Sequence, residues 1–185
     1  MSTTTLITKI RTLLDDNSSV GQDVFTYGNN RVFTLSEPNV IAVTDVARND
    51  TSSGVSYTFN SSTNKVTIGS PLTVGDTINI SYSFYPNYSD TEIKNYFKAA
   101  LVHLSINNYS DIDYDSLSDS FYPTIEDREE NLIAIIASTL INPDNRTIRL
   151  PDVTIQVPND LPTNKKISQY IASFKRSGHG VFDVI

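Results

Sequence analysis

Asp111, Asp113, Asp115 and Asp119 come closest, by type and spacing, to a site that could do chemistry. They fall at positions 1, 3, 5 and 9 of a twelve-residue calcium loop. The glycine such a loop needs at position 6 is Ser116, and the closing bidentate glutamate at position 12 is Tyr122. Calcium needs both the sharp turn and the last carboxylate, so the stretch reads as a solvated acidic loop and no metal is expected. The remaining reactive residues are few. Cysteine is absent, which excludes disulfides, thiolate metal sites and thiol catalysis. There are two histidines. His103 lies beside the apolar stripe of a predicted helix and reads as a partly buried structural residue. His179 sits between Gly178 and Gly180, a poor support for a catalytic base. No phosphate-cradling glycine motif is present. No catalytic residue and no cofactor is assigned, and the chain reads as a non-enzyme.

The chain has 185 residues, enough for one ordinary domain or a small domain carrying an insertion. Charged residues make up 19% and hydrophobic residues 38%, which argues against both a disordered tail and a membrane protein. The opening residues lack a basic head and a long apolar core, so a secretory signal is not expected. The net charge is −7, which disfavours binding to nucleic acid. It is unevenly spread. Residues 1–141 hold 8 basic and 17 acidic side chains, and residues 142–185 hold 6 and 4.

Several elements must position these groups. Leu6, Ile10, Leu13 and Leu14 make one stripe of a first helix. From residue 23 to residue 85 the apolar period becomes two. Val40–Val43, Val55–Phe59, Lys65–Ile68 and Thr77–Phe84 read as strands, the last with Ile78, Ile80, Tyr82 and Phe84 on one face. Residues 24–27 and 31–35, around Gly28-Asn29-Asn30, suit a hairpin. Ser89 and Glu92 have capping-box spacing before a helix whose stripe is Ile93, Phe97, Ala100, Leu101 and Leu104. Pro123 suits the first turn of a third helix, and Glu126, Asp127, Glu129 and Glu130 favour its N-terminus. That helix becomes apolar on all sides through Leu132, Ile133, Ile135 and Ile136, which marks it as bundle centre or subunit contact. A short hairpin or arm is expected near 146–158, and a last helix from Thr163 to Arg176.

The expected fold class is α+β. About four helices form a small bundle from residues 1–22 and 86–176. An antiparallel β-module (23–85) lies between the first two helices, and a C-terminal tail spans 177–185. Lys175, Arg176 and His179 precede Val181, Phe182, Val184 and Ile185 in and before that tail. An apolar segment after glycines is costly to leave in water. It either packs on its own domain or adds to a neighbour.

In their order, these pieces resemble the head–tail connector, or adaptor, proteins of long-tailed bacteriophages. The residues that carry the resemblance are Leu6-Ile-Thr-Lys-Ile-Arg-Thr-Leu-Leu-Asp-Asp16, Ser89-Asp90-Thr91-Glu92-Ile93 and Lys98-Ala-Ala-Leu101. They lie within residues 5–16 and 89–141. The departure is the β-module, whose strand Gly75-Asp76-Thr-Ile-Asn-Ile-Ser-Tyr82 resembles those of other phage virion sequences. The resemblance implies a structural virion protein at the neck, made in the host cytoplasm and assembled as a ring, usually of twelve copies, beneath the portal. Such a ring extends the DNA channel without sequence-specific DNA binding and docks a stopper or tail-completion protein. No membrane is involved. The C-terminal segment would reach the portal, which assigns portal binding to Lys175, Arg176, His179, Val181, Phe182, Val184 and Ile185. Leu132, Ile133, Ile135 and Ile136 would pack in the bundle or between subunits. Two further readings stand beside it. One is another neck or tail part, such as a tail terminator or a host-binding module presenting Tyr57, Tyr82 and Tyr85. The other is an enzyme with an acidic site at Asp111, Asp113 and Asp115.

Overall fold

The computed structural model describes residues 3–51, 54–143, 147–150, 153–156 and 161–177, with backbone alone at 147–150, 153–156 and 176–177. The fold is mixed α+β, with four helices and antiparallel sheets among the described residues. The chain divides into two compact units, residues 16–89 and residues 1–15 with 90–185.

The first unit is all β. Strands β1 (Ser19–Thr26), β2 (Val32–Thr34), β3 (Val40–Arg48), β4 (Tyr57–Asn60), β5 (Lys65–Ile68) and β6 (Thr77–Phe84) form two three-stranded sheets, ordered β1-β6-β3 and β2-β5-β4. Alternation along β6 decides the packing. Ile78, Ile80, Tyr82 and Phe84 are buried while the residues between them are half-exposed. They share one core with Phe33 of β2, Val40 and Val46 of β3, and Val66 and Ile68 of β5, so the two sheets close on each other as a small sandwich. The turn before β6 is set by Gly75, whose φ of +95° suits a residue without Cβ. Asp76 then holds the turn. Its carboxylate meets Arg48 Nε at 2.7 Å and accepts from the Thr73 N–H at 2.7 Å and from Asn49 Nδ2 at 2.9 Å. The Thr73 N–H, foremost among these donors, holds the Asp76 carboxyl below its ordinary value.

The hairpin expected from residues 24–27 and 31–35 does not form. β1 pairs with β6, from Ser19↔Phe84 to Thr26↔Thr77, and β2 pairs with β5. The intervening Gly28-Asn29-Asn30 turn crosses between sheets. Phe25 and Phe33 therefore face each other through the core, ring centroids 4.9 Å apart, instead of lying side by side on one sheet. The first strand also begins at Ser19, earlier than the expected boundary at residue 23. Where the chain enters and leaves this unit, Asp16 Oδ1 accepts from the backbone N–H of Asn87 at 3.3 Å and from its Nδ2 at 3.2 Å.

The second unit holds helices α1 (Thr3–Leu13), α2 (Asp90–Ile106), α3 (Asp127–Ile141) and α4 (Thr163–Ser177). α3 is its centre, packed against α1, α2 and α4. Its residues Leu132 to Ala137 are fully buried, as a helix apolar on all sides must be. At its start the Glu126 N–H donates to Glu129 Oε2 at 3.1 Å. α1 presents Leu6, Ile7, Ile10 and Leu13, α2 presents Ile93, Phe97, Ala100, Leu101 and Leu104, and α4 presents Ile167, Tyr170 and Ile171. Arg11 Nη2 donates to Asp90 Oδ1 at 2.6 Å and so ties the end of α1 to the start of α2. Strands β9 (Thr147–Leu150) and β10 (Val153–Gln156) pair antiparallel.

Two expectations fail between α2 and α3. The acidic stretch is not simply a loop. Strands β7 (Asp113–Asp115) and β8 (Ser120–Tyr122) pair as a hairpin. Its inward rings, Tyr114 and Phe121, pack on Phe97 of α2 at centroid distances of 5.0 and 5.6 Å, and this aromatic burial orders an otherwise polar segment. Pro123 is not in the first turn of a helix either. It follows a cis peptide bond after Tyr122, and α3 begins only at Asp127.

Candidate functional site

The surface formed by α2 and the β7–β8 hairpin concentrates the chemistry of the helical unit. Its fixed point is Asp119, at the end of the hairpin turn with φ of +51°, a backbone region that aspartate tolerates better than most residues. Asp119 Oδ1 accepts from Lys94 Nζ of α2 at 2.8 Å and from the Tyr114 hydroxyl, and Oδ2 accepts from the Thr3 hydroxyl of α1. One carboxylate thus joins two helices and the hairpin. The Lys94 ammonium, then Thr3 and Tyr114, hold the Asp119 carboxyl well below the usual carboxylate range, and the Asp119 carboxylate raises Lys94 in return. Burial pushes the Tyr114 hydroxyl up, and its donation to Asp119 adds to this.

The turn itself is closed by Asp115, which accepts from the Leu117 N–H at 2.9 Å and from the Ser118 hydroxyl at 2.6 Å. These two donors, Ser118 first, lower the Asp115 carboxyl. Asp115 and Asp119 are therefore engaged in shaping the hairpin. Asp111 and Asp113 are exposed and stand on the rim of a neighbouring cleft. Among the described residues, no group of three or more His, Asp and Glu converges as metal ligands.

That cleft, of about 350 Å³, runs along the C-terminal half of α2. Leu101 and Ile112 form its buried floor, Tyr114 forms one wall, and the apolar Val102 and Ile106 stand on its rim at 57% and 70% exposure. Lys98 closes the far end, with Nζ 5.2 Å from the Tyr114 ring centroid and 3.3 Å from the Ser116 hydroxyl. The cleft went unmarked in the sequence reading, although the signal was there. Val102 and Ile106 are an i, i+4 apolar pair lying off the core stripe of α2.

The other expected site residues fall elsewhere. Leu132, Ile133, Ile135 and Ile136 are wholly buried within their own chain, in the bundle. Lys175 is exposed on α4, and its Nζ donates to the Asn107 carbonyl at 2.8 Å, at the C-terminal end of α2. The side chain of Arg176, and all of His179, Val181, Phe182, Val184 and Ile185, lie outside the described residues. His103 is half-buried on α2, where its carbonyl accepts from Asn107 Nδ2 at 2.8 Å. Of the three tyrosines considered for a binding face, Tyr57 is exposed and Tyr85 half-buried. Tyr82 is in the sandwich core, with its hydroxyl 3.2 Å from both Asp23 Oδ2 and Ser36 Oγ.

Among the described residues no helix is long and apolar enough to cross a membrane. Compared with known proteins, the chain matches no family model and no curated sequence.

Proposed function

We propose that this chain is a head–tail connector of a long-tailed bacteriophage, a structural and non-catalytic virion protein. In this reading its helical unit is the adaptor body and its β-sandwich is a module inserted between the first and second helices. Copies form a ring beneath the portal, extend the DNA channel, and dock a stopper or tail-completion protein below.

The observation that carries the reading is how each unit is tied at the junction. Arg11 bonds to Asp90 within the helical unit, and Asp16 bonds to Asn87 within the β unit. α1 and α2 are thus held together by their own contact, and the two ends of the β unit by theirs. A module inserted into an existing helical body needs this arrangement, and the resemblance is carried by the helical residues on either side of it. The charge supports the same reading. A net −7 body would not grip DNA passing through a channel, because attachment to phosphates needs clustered Lys and Arg. In this proposal Lys175, Arg176, His179, Val181, Phe182, Val184 and Ile185 engage the portal.

The test is co-sedimentation with the purified portal ring of the same phage, comparing the full chain with one ending at Arg176. Binding of the full chain in fixed ring stoichiometry, lost on truncation, is the expected result. Binding by both would keep the connector and discard the tail as anchor. Binding by neither would overturn the reading and favour another place in the neck or tail.

A further inference from the structure

We propose that the cleft beside the C-terminal half of α2 is the docking site for residues 181–185 of the same chain. The cleft has a buried apolar floor of Leu101 and Ile112 and an apolar rim of Val102 and Ile106, exposed at 57% and 70%. Lys98, Ser105, Asp111 and Asp113 complete the lining with polar groups, and the cleft, about 350 Å³, has room for a few side chains but not for a helix.

Three observations select the occupant. The first is where α4 delivers the chain. Lys175, close to its end, bonds to the Asn107 carbonyl, and Asn107 follows Ile106 at the mouth of the cleft. Ser168 Oγ also donates to Asn107 Oδ1 at 3.4 Å, so α4 is pinned to this end of α2. The second is reach. Eight residues follow Ser177, and an extended chain of that length spans up to about 27 Å. The third is composition. Among the stretches whose backbone lies outside the described residues, only 181–185 carries more than one large apolar side chain; Ile148, Leu150, Val153 and Ile155 belong to the paired strands β9 and β10. It reads Val-Phe-Asp-Val-Ile and is preceded by Gly178 and Gly180.

Docking there would cover Val102 and Ile106 and remove the apolar segment from water in the unassembled chain. A partner that takes the segment would have to displace it from the cleft first. The inference rests on the cleft and on the end of α4, and not on which partner that is.

Because the chain has no cysteine, introduced pairs report proximity without background. The full-length chain carrying Ile106→Cys with Val184→Cys is oxidised at low micromolar concentration and compared with Thr8→Cys plus Val184→Cys, Thr8 being exposed on α1. An intrachain disulfide forming about tenfold faster in the cleft pair is expected, because docking raises the local concentration of the two thiols. Equal rates, no disulfide in either pair, or a disulfide-linked dimer from the cleft pair would each overturn the proposal, the dimer by making a second copy the occupant. As an independent check on unsubstituted residues, the methyl resonances of Leu101, Val102, Ile106 and Ile112 should shift when the chain is ended at Arg176. Unchanged resonances would also overturn it.

Discussion

Gly21 and Tyr82 are opposite each other in the β1–β6 ladder, and the Tyr82 ring fills the space that a side chain at Gly21 would need. A Cβ at Gly21 would lie 2.6 Å from Cε2 and 2.8 Å from Cζ of that ring. Tyr82 is 1% exposed and cannot swing away, since its hydroxyl is held beside Asp23 and Ser36. The glycine is therefore a packing requirement, in a strand where glycine otherwise costs stability.

Gly21→Ala should destabilise the β unit by about 1–3 kcal/mol, the usual cost of overpacking a core. Urea unfolding followed through tyrosine fluorescence measures this. A companion Gly28→Ala, where a Cβ would meet nothing within 4 Å, should change stability far less.

Asp119 links Thr3, Lys94 and Tyr114, so its loss should loosen the hairpin from the helices. Its side chain is 47% exposed and that of Lys94 is 33% exposed, so screening limits the effect to about 1 kcal/mol. Asn in its place keeps the left-handed turn but loses the charge. The folded-state carboxyl lies below its unfolded value of about 3.9, so the unfolded chain binds more protons in that interval. The stabilisation is then complete above the unfolded value and falls away as pH drops below about 4. The wild-type urea midpoint should decline between pH 5 and pH 3 more steeply than that of Asp119→Asn.

Glu130 is wholly buried at the start of α3, and its partner Lys9 of α1 also donates to Asn131 Oδ1 at 3.0 Å. Lys9→Met would leave a buried carboxylate without its cation, at a cost of about 3 kcal/mol. Replacing both, with Lys9→Met and Glu130→Leu, should recover most of that loss. A double-mutant cycle on chemical denaturation decides it. Equal losses in the single and double variants would mean that packing, and not charge, is at stake.

Lys166 is a buried lysine on α4 whose Nζ donates to the Pro143 carbonyl at 2.7 Å, just beyond the end of α3. A cation there satisfies a free carbonyl and complements the helix dipole. Lys166→Met keeps the aliphatic stem and removes the charge. It should lower stability by about 1–2 kcal/mol, read from thermal unfolding.

If the β-sandwich is an inserted module, the helical unit should survive its removal. A chain in which residues 17–87 are replaced by a short Gly-Ser linker should keep its far-ultraviolet helical signal and a cooperative melt. Collapse to a non-cooperative state would count against the inserted-module reading.

Periodicity made several of these relationships legible in advance. The alternation of Ile78, Ile80, Tyr82 and Phe84 marked one face of β6 as buried, and the unbroken apolar run Leu132–Ala137 marked α3 as surrounded. Both are properties of a few consecutive residues, because side-chain direction repeats every two residues in a strand and every 3.6 in a helix. The acidic residues of α3's first turn were readable for the same local reason.

Partner choice was not legible, because it depends on residues far apart in the chain. The residues of β1 announce an extended segment, yet nothing within them says that it joins β6 and not the adjacent β2. That was settled by the long strand β6, which takes β1 on one edge and β3 on the other, and by Phe25 meeting Phe33 across the core. Likewise, four spaced aspartates looked like a solvated loop until the Phe97 ring gave Tyr114 and Phe121 a surface to bury. Asp119 then became the anchor of the hairpin, through donors more than twenty residues away in Lys94 and more than a hundred away in Thr3. The sequence by itself determined which faces are apolar. The tertiary structure alone decided which faces meet, because a buried face requires a cover but does not specify one.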